Sequence, residues 1–540
     1  WQKLYEPFIR GAAGLGVAPE EPDPDHYSGR YEHVDVLVVG AGVAGLSAAL
    51  AAALSGASVI LCDEQAGTGG ALRYDAGVTI DGENGYDWAQ KSTAKLAAME
   101  NVRVLTRTTA FGYYAQNFVA LCERVTDHLS DPDPDMPRER LWQVRARKVI
   151  LATGAIERHM VFADNDRPGI MLASAARAYL NHYGVAVGSK VGVYTANDSA
   201  YAAAFDLARA GVLVPAIVDT RDAPGEGLLS TAADLGIDVM TASAVVGAKG
   251  RRRISAMTVE GARGKTQIPV DALITSAGWT PAVHLYSQSR GKVVWDPASE
   301  RFLPGDNVQE SVSIGGCNGA TDLQETIDEA IAAGRSAALG VGKSKRLSLR
   351  ISAAGAIDWS GGMSGSARGA GADSTAKAFV DFQNDVTAKD IRLAVREGMH
   401  SIEHVKRFTT NGMASDQGKT SNIHGLAIAA ESLGRQMPEV GLTTFRPPYT
   451  PVTYGTIVNH SRGKLFDPAR KTFSHAWSTK LGAVFEDVGN WKRAWYFPRA
   501  GEDMHAAVSR ECRTVRETAG VFDASTLGKI EVVGPDAAKF

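Results

Sequence analysis

The fold of this 540-residue chain is decided by one stretch, Val36-Leu37-Val38-Val39-Gly40-Ala41-Gly42-Val43-Ala44-Gly45. Its four apolar residues predict a buried strand, and the Ala- and Leu-rich residues after Gly45 predict a helix. A G-x-G-x-x-G motif between a strand and a helix is typical of a dinucleotide-binding turn. The first glycine permits the tight turn, the second lets the backbone approach a pyrophosphate, and the third lets helix and strand pack closely. An ordinary strand-to-helix turn with incidental glycines is the alternative.

The residues that follow the motif indicate which dinucleotide could bind. The next predicted strand ends at Asp63-Glu64, where an acidic side chain can accept hydrogen bonds from ribose hydroxyls and repel a 2′-phosphate. This favours NAD or FAD over NADP. No charged residue lies between Val36 and Cys62, but the glycines and the strand-helix-strand pattern predict a buried β-α-β unit rather than a membrane helix.

The composition suits a soluble globular chain of several domains. Its 57 Lys and Arg residues against 60 Asp and Glu residues give a net charge of −3, which argues against nucleic acid or an acidic membrane as partner. The four cysteines lie far apart, and neither they nor the histidines show metal-ligand spacing, so no disulfide framework and no metal site are predicted. We expect a cytoplasmic, reduced protein. Because the chain starts without Met and ends inside an apparent new helix, we also expect a segment of a longer polypeptide.

The alternating strand and helix patterns predict parallel sheets with helices on both faces. A second β-α-β unit begins at Lys190, and apolar strands that end in glycine return at residues 148–154 and 312–316. The predicted organisation is a lead-in arm at 1–33, a dinucleotide-binding domain at 34–188 and 272–340, an inserted second Rossmann-like domain at 189–271, a linker at 341–377, a helical domain at 378–445 and a further domain at 446–540.

This layout resembles the fold of the glutathione and thioredoxin reductases, which have two dinucleotide-binding domains. Two departures from that fold change the expected cofactor. The second loop, Thr195-Ala196-Asn197-Asp198-Ser199-Ala200, has no glycine and carries a carboxylate where phosphate oxygens would lie, so we expect no NAD(P)H there. Where the FAD-binding relatives have Gly-Asp, this chain has Gly315-Gly316, which disfavours a standard FAD and favours a dinucleotide held mainly by its ADP half.

The segments Asp381 to Thr387 and Gly412 to Ser421 resemble the small ferredoxin-like helical domain of opine and proline oxidoreductases. The resemblance puts the four cluster ligands at Asp381, Gln383, Asp416 and Ser421. None of these is a thiolate, so we expect no [2Fe–2S] cluster. A metal site formed by the two aspartates is the alternative.

A broader resemblance covers nearly the whole chain. Residues 378–387, 401–407, 412–422 and 482–489 resemble the alpha subunits of heterotetrameric sarcosine oxidases, and residues 491–540 resemble the start of the folate-binding aminomethyltransferase domain. The implied fold class is α/β: a Rossmann-like core with two dinucleotide-binding domains, a small helical domain without its cluster, and the start of an α+β aminomethyltransferase-like domain.

That resemblance implies a complex that oxidises sarcosine with O2 to glycine and H2O2 and, with tetrahydrofolate, forms 5,10-methylenetetrahydrofolate. It implies NAD⁺ on this chain, FMN at the interface with a beta subunit, FAD on the beta subunit, tetrahydrofolate on the C-terminal domain, and gamma and delta subunits as further partners. No acid, base or nucleophile is predicted. The residues expected to contact the cofactor are Gly40, Gly42, Ala44, Gly45, Asp63, Glu64, Gln65, Gly70, Ala71, Ala110, Gly154, Gly316, Cys317, Thr321 and Leu323.

Two other functions stay open at this point. The first is a stand-alone FAD/NAD(P)H-dependent oxidoreductase of the opine or amino-acid dehydrogenase type, which should have an acid in place of Gly316, glycines in the second loop and a yellow colour when purified. The second is a non-catalytic nucleotide-binding scaffold. Cys317 could be a redox thiol, but without a partner cysteine it is more typical of a small buried residue.

Overall fold

The computed structural model describes residues 1, 5–14, 19–262, 264–345, 349–355, 376–528, 530–534 and 536–539. These residues form two compact units, 1–457 and 458–540. Most of the linker expected at 341–377 lies outside the described residues. The first unit contains two sheets of the Rossmann type and a helical segment, and each unit is described below by itself.

The first sheet is built around the strand Tyr27–Val39, whose last four residues are buried and pair in parallel with strands on both sides. The order of strands across the sheet is Val102–Leu105, Val59–Cys62, Tyr27–Val39, Glu139–Leu151, Phe118–Arg124 and Thr108–Tyr114, and Ser311–Ser313 also pairs with Glu139–Leu151. The helices of this module are Val43–Leu54, Gly85–Ala97 and Leu323–Gly340.

The helix Val43–Leu54 is buried along nearly its whole length, which explains its alanine-rich sequence. It packs against the helix Leu323–Gly340 at very short range: a Cβ atom at Gly334 would lie 2.3 Å from the carbonyl oxygen of Ala48. Small side chains on both helices permit this approach, so the motif helix is held rigidly by backbone-to-backbone packing.

The first strand starts earlier than the sequence pattern predicts. Residues 27–33, expected in the lead-in arm, continue the strand and pair in register with residues 139–145. Most of their side chains are half-buried or exposed, so backbone hydrogen bonds rather than apolar burial hold this extension. A hydrophobic pattern could not have revealed it.

The second sheet is parallel and larger than the predicted insertion at 189–271. Its strand order is Ile170–Leu172, Ala272–Ser276, Val191–Thr195, Ala216–Asp219 and Asp238–Met240, and its helices are Ala173–Tyr183, Ser199–Arg209 and Glu226–Asp234. The expected limits at 189 and 271 are therefore wrong, since the first two of these strands flank that range and pair inside this sheet. An antiparallel sheet of Ala244–Gly250, Ile254–Gly261 and Gly264–Pro269 follows.

The helical segment starts with the antiparallel strands Phe379–Asp381 and Val386–Thr387. Its helices are Ala388–Arg396, Ile402–Thr409, Asn422–Leu433, Met437–Val440 and Tyr454–Val458. Residues 446–457, expected in the C-terminal domain, belong to the first unit. Part of the expected linker also packs into the first module, because Ile351 is only 5 % exposed and Ala353–Ala354 pairs with Thr79–Ile80.

The second unit contains the antiparallel strands Val484–Val488 and Trp491–Tyr496, with Arg470–Lys471 beside the latter. Its helices are His475–Lys480 and Met504–Glu517, with a 3₁₀ turn at Gly463–Leu465. The remaining short elements of the first unit are Tyr5–Ala12, Gly70–Arg73, Glu83–Asn84, Ala155–Glu157, Trp279–Pro281, His284–Gln288, Val293–Asp296, Arg301–Pro304 and Gly315–Asn318. Among the described residues, no helix has the length and apolar character needed to cross a membrane.

Candidate functional site

The glycine turn sits between the strand Tyr27–Val39 and the helix Val43–Leu54, as predicted. Gly40 has a φ of +99°, and a Cβ atom on it would lie 2.3 Å from the carbonyl oxygen of Ala152. A Cβ atom on Gly45 would lie only 1.7 Å from the carbonyl oxygen of Gly40. The protein's own packing therefore requires glycine at these two positions.

Gly42 differs from these two glycines because the protein does not require it. Its φ of −73° and ψ of −172° suit any residue, and a Cβ atom there would meet only the Cα atom of Gly70, at an ordinary 3.9 Å. The free space in front of Gly42 belongs to a cavity. Packing within the protein thus does not account for glycine at this position, which is the one that lets a pyrophosphate approach the backbone in a G-x-G-x-x-G motif.

A cavity of about 570 Å³ opens at the turn, and we call it the main cavity. All the predicted contact residues except Gly45 and Cys317 line it. These lining residues are Gly40, Gly42, Ala44, Asp63, Glu64, Gln65, Gly70, Ala71, Ala110, Gly154, Gly316, Thr321 and Leu323. The structure thus brings together residues from six segments of the chain on the wall of the main cavity.

Gly45 and Cys317 lie behind this wall. Gly45 is the point of contact between helix and turn described above. Cys317 is 2 % exposed, and its thiol donates to the carbonyl oxygens of Leu151 and Ile314, both at 3.2 Å. Burial raises the pKa of this thiol, so it stays protonated and acts as a packing residue.

The two predicted acidic residues, Asp63 and Glu64, have different roles. Asp63 accepts the backbone N–H groups of Ala41 at 2.6 Å and Gln65 at 2.8 Å, so its carboxylate holds the glycine turn in place. Partial burial raises the pKa of this carboxyl. Glu64 is exposed on the wall of the main cavity and is the better placed of the two to accept hydrogen bonds from ribose hydroxyls.

In the second loop, a carboxylate lies at the helix N-terminus where a nucleotide phosphate would otherwise bind. Asp198 immediately precedes the helix Ser199–Arg209, and its carboxylate lies 2.5 Å from a guanidinium nitrogen of Arg221. Arg221 also contacts the buried Asp219 at 2.8 Å. A carboxylate at the N-terminus of this helix repels phosphate and already takes the arginine that a phosphate would need.

The four positions aligned with cluster ligands lie together, and hydrogen bonds connect them. The carboxylate of Asp381, 2 % exposed, accepts the backbone N–H groups of Gly412 at 2.7 Å, Gln383 at 2.9 Å and Asn384 at 3.0 Å. The hydroxyl of Ser421 lies 3.5 Å from it, and the side chain of Gln383 accepts the backbone N–H of Asp416 at 2.6 Å. In the part of the chain that the structure describes, no group of three or more His, Cys, Asp or Glu side chains is arranged to hold a metal ion.

Comparisons with known proteins agree with this architecture. The model of the pyridine nucleotide-disulphide oxidoreductase family matches residues 34–305, half of the chain. The chain belongs to this family. The sarcosine oxidase A3 domain matches residues 375–460, and the GCVT N-terminal domain matches residues 474–540. The first match implies dinucleotide or flavin binding by the module that carries the glycine turn.

Two relatives match this family member over all or nearly all of its length. It is 45 % identical to the sarcosine oxidase subunit alpha of Rhizobium meliloti (strain 1021), over 100 % of this chain and 54 % of the relative. It is 44 % identical to that of Corynebacterium sp. (strain P-1), over 98 % of this chain and 56 % of the relative. The predicted resemblance to sarcosine oxidase alpha subunits is confirmed, and the chain spans about half the length of these curated relatives.

Among solved structures, the L-proline dehydrogenase from P. horikoshii matches with a TM-score of 0.59 at 19 % identity, over 81 % of each chain. At this identity the likeness concerns the fold. Together with the family matches it confirms the predicted α/β class, with a Rossmann-type core and a C-terminal aminomethyltransferase-like part.

The sequence reasoning missed the side chains that close the main cavity from distant parts of the chain. Lys419 and Tyr449 both come from the helical segment. The ammonium group of Lys419 lies 4.4 Å from the ring centroid of Tyr449 and donates to the carbonyl oxygen of Tyr449 at 3.0 Å. His284 stacks on the same ring at 4.3 Å, and Arg73 contacts His182 at 3.1 Å. No local motif marks these residues, because only the tertiary fold brings them to the cavity.

Proposed function

We propose that this chain is the nucleotide-carrying part of the alpha subunit of a sarcosine oxidase complex. The complex oxidises sarcosine with O2 and water to glycine, formaldehyde and H2O2, and with tetrahydrofolate it passes the one-carbon unit into 5,10-methylenetetrahydrofolate. This chain holds NAD⁺ in the main cavity, contributes one side of an FMN site at the interface with a beta subunit that carries FAD, and begins the folate-binding domain. Gamma and delta subunits complete this cytoplasmic complex.

The nucleotide assignment rests on the free space around Gly42. Its backbone conformation and its surroundings within the protein would accept a side chain, so the absence of one serves a ligand in the main cavity. Glu64 on the same wall suits the free ribose hydroxyls of NAD⁺ and repels a 2′-phosphate.

FAD fits this chain less well than NAD⁺. The turn at Gly315–Asn318 has no carboxylate, and its polar groups are directed to another partner: Glu329 accepts the Gly315 N–H at 2.9 Å and the Asn318 amide at 2.8 Å. The residues that would hold NAD⁺ are the main-cavity residues around Gly42, Glu64 and Ala110. When bound there, NAD⁺ would supply a redox-active pyridinium ring, and the chain's own residues bind and orient the nucleotide.

The proposed activity is tested on the whole complex. The full-length subunit is co-expressed with its beta, gamma and delta partners, and O2 uptake is followed with sarcosine and, as the control amine, with proline. We expect sarcosine to support uptake with one H2O2 formed per O2, and added tetrahydrofolate to replace free formaldehyde by 5,10-methylenetetrahydrofolate. Uptake with proline but not with sarcosine would contradict the substrate assignment, and unchanged formaldehyde release would contradict the folate assignment.

A further inference from the structure

Two of the described residues that line the main cavity are lysine or arginine, namely Arg73 and Lys419. Three acidic residues, Asp63, Glu64 and Asp322, line the same cavity. A dinucleotide adds the negative charges of its pyrophosphate to this wall. Binding it therefore calls for a cation whose charge the protein does not already use.

Lys419 is already engaged within the protein. Its ammonium group donates to the carbonyl oxygens of Asp416 at 3.2 Å and Tyr449 at 3.0 Å. Burial lowers the pKa of Lys419, and the charges of Asp416 and Glu64 oppose this fall. Lys419 therefore lies towards the ribose end of the cavity, where Glu64 is, rather than at the glycine turn.

Arg73 lies beside the glycine turn. It ends the 3₁₀ turn Gly70–Arg73, and a Cβ atom on Gly69 would lie 3.4 Å from its Cγ atom. Gly69 in turn pairs with Gly42. Burial raises the pKa of Asp63, which holds the glycine turn, and the charge of Arg73 is one of the effects that oppose this rise. The guanidinium group is therefore within electrostatic reach of the place where a pyrophosphate meets the turn.

Arg73 forms no ion pair with a carboxylate in the described part of the chain. One of its guanidinium nitrogens contacts Nε2 of His182 at 3.1 Å, and because a guanidinium group only donates hydrogen bonds, His182 accepts here through a neutral ring nitrogen. The Nε atom of Arg73 is buried and has no hydrogen-bond partner among the described residues. The nearby carboxylate of Asp75 is paired with Arg177 at 3.0 Å. Arg73 thus presents to the main cavity a positive charge that a ligand can use.

The helix Val43–Leu54 is a second source of positive potential at the same place. It begins after Gly42 without a side-chain cap and with no acidic residue in its first turn. Its first N–H groups and the positive end of its dipole therefore remain available to an anion. Since Gly42 and Arg73 line the same cavity, the helix end and the guanidinium group can share one anionic ligand.

We propose that Arg73 is the cation that binds the pyrophosphate of the dinucleotide and that His182 positions its guanidinium group for this contact. The inference rests on the proposed function, since it takes the ligand of the main cavity to be NAD⁺. A guanidinium group presents its N–H donors in a planar fork that fits phosphate oxygens. His182 comes from the helix Ala173–Tyr183 beside the second sheet, so a residue of the second module holds the nucleotide-binding arginine of the first.

The test uses isothermal titration of the purified protein, freed of nucleotide with charcoal. It compares NAD⁺ and ADP-ribose, which contain the pyrophosphate, with adenosine, which does not. We expect Arg73→Met to weaken NAD⁺ and ADP-ribose by at least about tenfold and to leave the adenosine affinity unchanged. The affinity of the wild-type protein for ADP-ribose should fall as salt rises, and that of Arg73→Met should fall less steeply.

Lys419→Met is the matched control, because it removes the other cation of the cavity. It should leave the ratio of ADP-ribose affinity to adenosine affinity as in wild type. If this ratio falls as much in Lys419→Met as in Arg73→Met, the effect is one of general charge and the assignment of Arg73 is wrong.

Two further variants keep the inference testable if Arg73→Met does not fold. Arg73→Lys keeps the charge but not the planar fork, so it should bind ADP-ribose more weakly than wild type with the wild-type salt dependence. His182→Leu removes the acceptor that holds the guanidinium group and should weaken ADP-ribose by about three- to tenfold without changing the adenosine affinity. A weaker salt dependence in Arg73→Lys would contradict the role of the charge, and wild-type ADP-ribose affinity in His182→Leu would contradict the positioning role.

The remaining outcomes separate this inference from the proposed function. If Arg73→Met binds ADP-ribose with wild-type affinity, or loses adenosine affinity by the same factor, Arg73 does not bind the pyrophosphate while the nucleotide site stands. If the wild-type protein binds neither NAD⁺ nor ADP-ribose, the proposed function itself fails.

Discussion

Replacing Gly42 by alanine should separate nucleotide binding from folding. In the structure the new methyl group meets one protein atom, the Cα of Gly70 at 3.9 Å, and the backbone angles at this position suit alanine. The free energy of unfolding of the nucleotide-free protein should therefore change by less than about 0.5 kcal/mol, or rise slightly because alanine restricts the unfolded chain. The same methyl group occupies the space through which a pyrophosphate reaches the backbone, so NAD⁺ affinity should fall by at least about tenfold, or 1.4 kcal/mol.

Gly45→Ala is the matched control, because it adds the same methyl group three residues further on. Its Cβ atom would lie 1.7 Å from the carbonyl oxygen of Gly40, so strand and helix must separate. Such overpacking costs about 1–3 kcal/mol or more. This variant should lower the unfolding temperature of the nucleotide-free protein as well as its affinity.

Both variants are compared with wild type by calorimetric unfolding without nucleotide and by titration with NAD⁺. The reasoning is refuted if Gly42→Ala binds NAD⁺ with wild-type affinity, because the cavity in front of Gly42 would then not receive the pyrophosphate. It is also refuted if Gly42→Ala lowers the unfolding temperature as much as Gly45→Ala does, because packing within the protein would then explain the glycine.

Three further predictions concern groups that stabilise the first unit. His424 is fully buried, and burial lowers its pKa well below the usual 6.5, so the unfolded chain binds a proton there that the folded protein excludes. At pH 5.5 this proton uptake by the unfolded chain lowers the free energy of unfolding by about 1.4 kcal/mol, so between pH 7.5 and 5.5 His424→Leu should lose that much less stability than wild type. Ser432→Ala, an exposed position on the same helix, should keep the wild-type dependence of stability on pH. Equal pH dependence in His424→Leu and wild type would contradict the burial argument. Asp381→Asn should lower the free energy of unfolding by about 1.5–3 kcal/mol, since it neutralises the acceptor of three backbone N–H groups. Denaturant unfolding measures this change, and a change under about 0.5 kcal/mol would show that the carboxylate does not stabilise the loop around Asp381. Arg177→Met should cost about 3–5 kcal/mol because it leaves the buried Asp75 without its cation and removes the nearer of two arginines from the half-buried Asp206. A stability equal to wild type at neutral pH would count against this ion-pair network.

The local parts of this architecture could be predicted from the sequence, because their causes are local. Gly40 and Gly45 are required by contacts close to the turn, and the buried end of a strand, a glycine turn and an alanine-rich helix follow each other in the 19 residues 36–54. The acid at the end of the next strand is located by the same short unit. Fold class and most of the cavity wall follow from such motifs.

The parts that could not be predicted depend on contacts between distant segments. Residues 27–33 join the first sheet through backbone pairing with residues 139–145, which leaves no hydrophobic pattern. The sequence of the strand Ala272–Ser276 is compatible with either dinucleotide-binding domain. Only its pairing with Val191–Thr195 assigns it to the second sheet. Lys419 and Tyr449 carry no local motif, and only the tertiary fold brings them to the main cavity.

The central claim is that the main cavity holds NAD⁺, and mass spectrometry of the nucleotide released by denaturing the purified native protein tests it most directly. The account predicts NAD⁺ in near-stoichiometric amount, and none from the Gly42→Val variant, whose larger side chain blocks the pyrophosphate. Stoichiometric FAD released from this chain would contradict the account. So would an empty cavity in protein that binds no added NAD⁺.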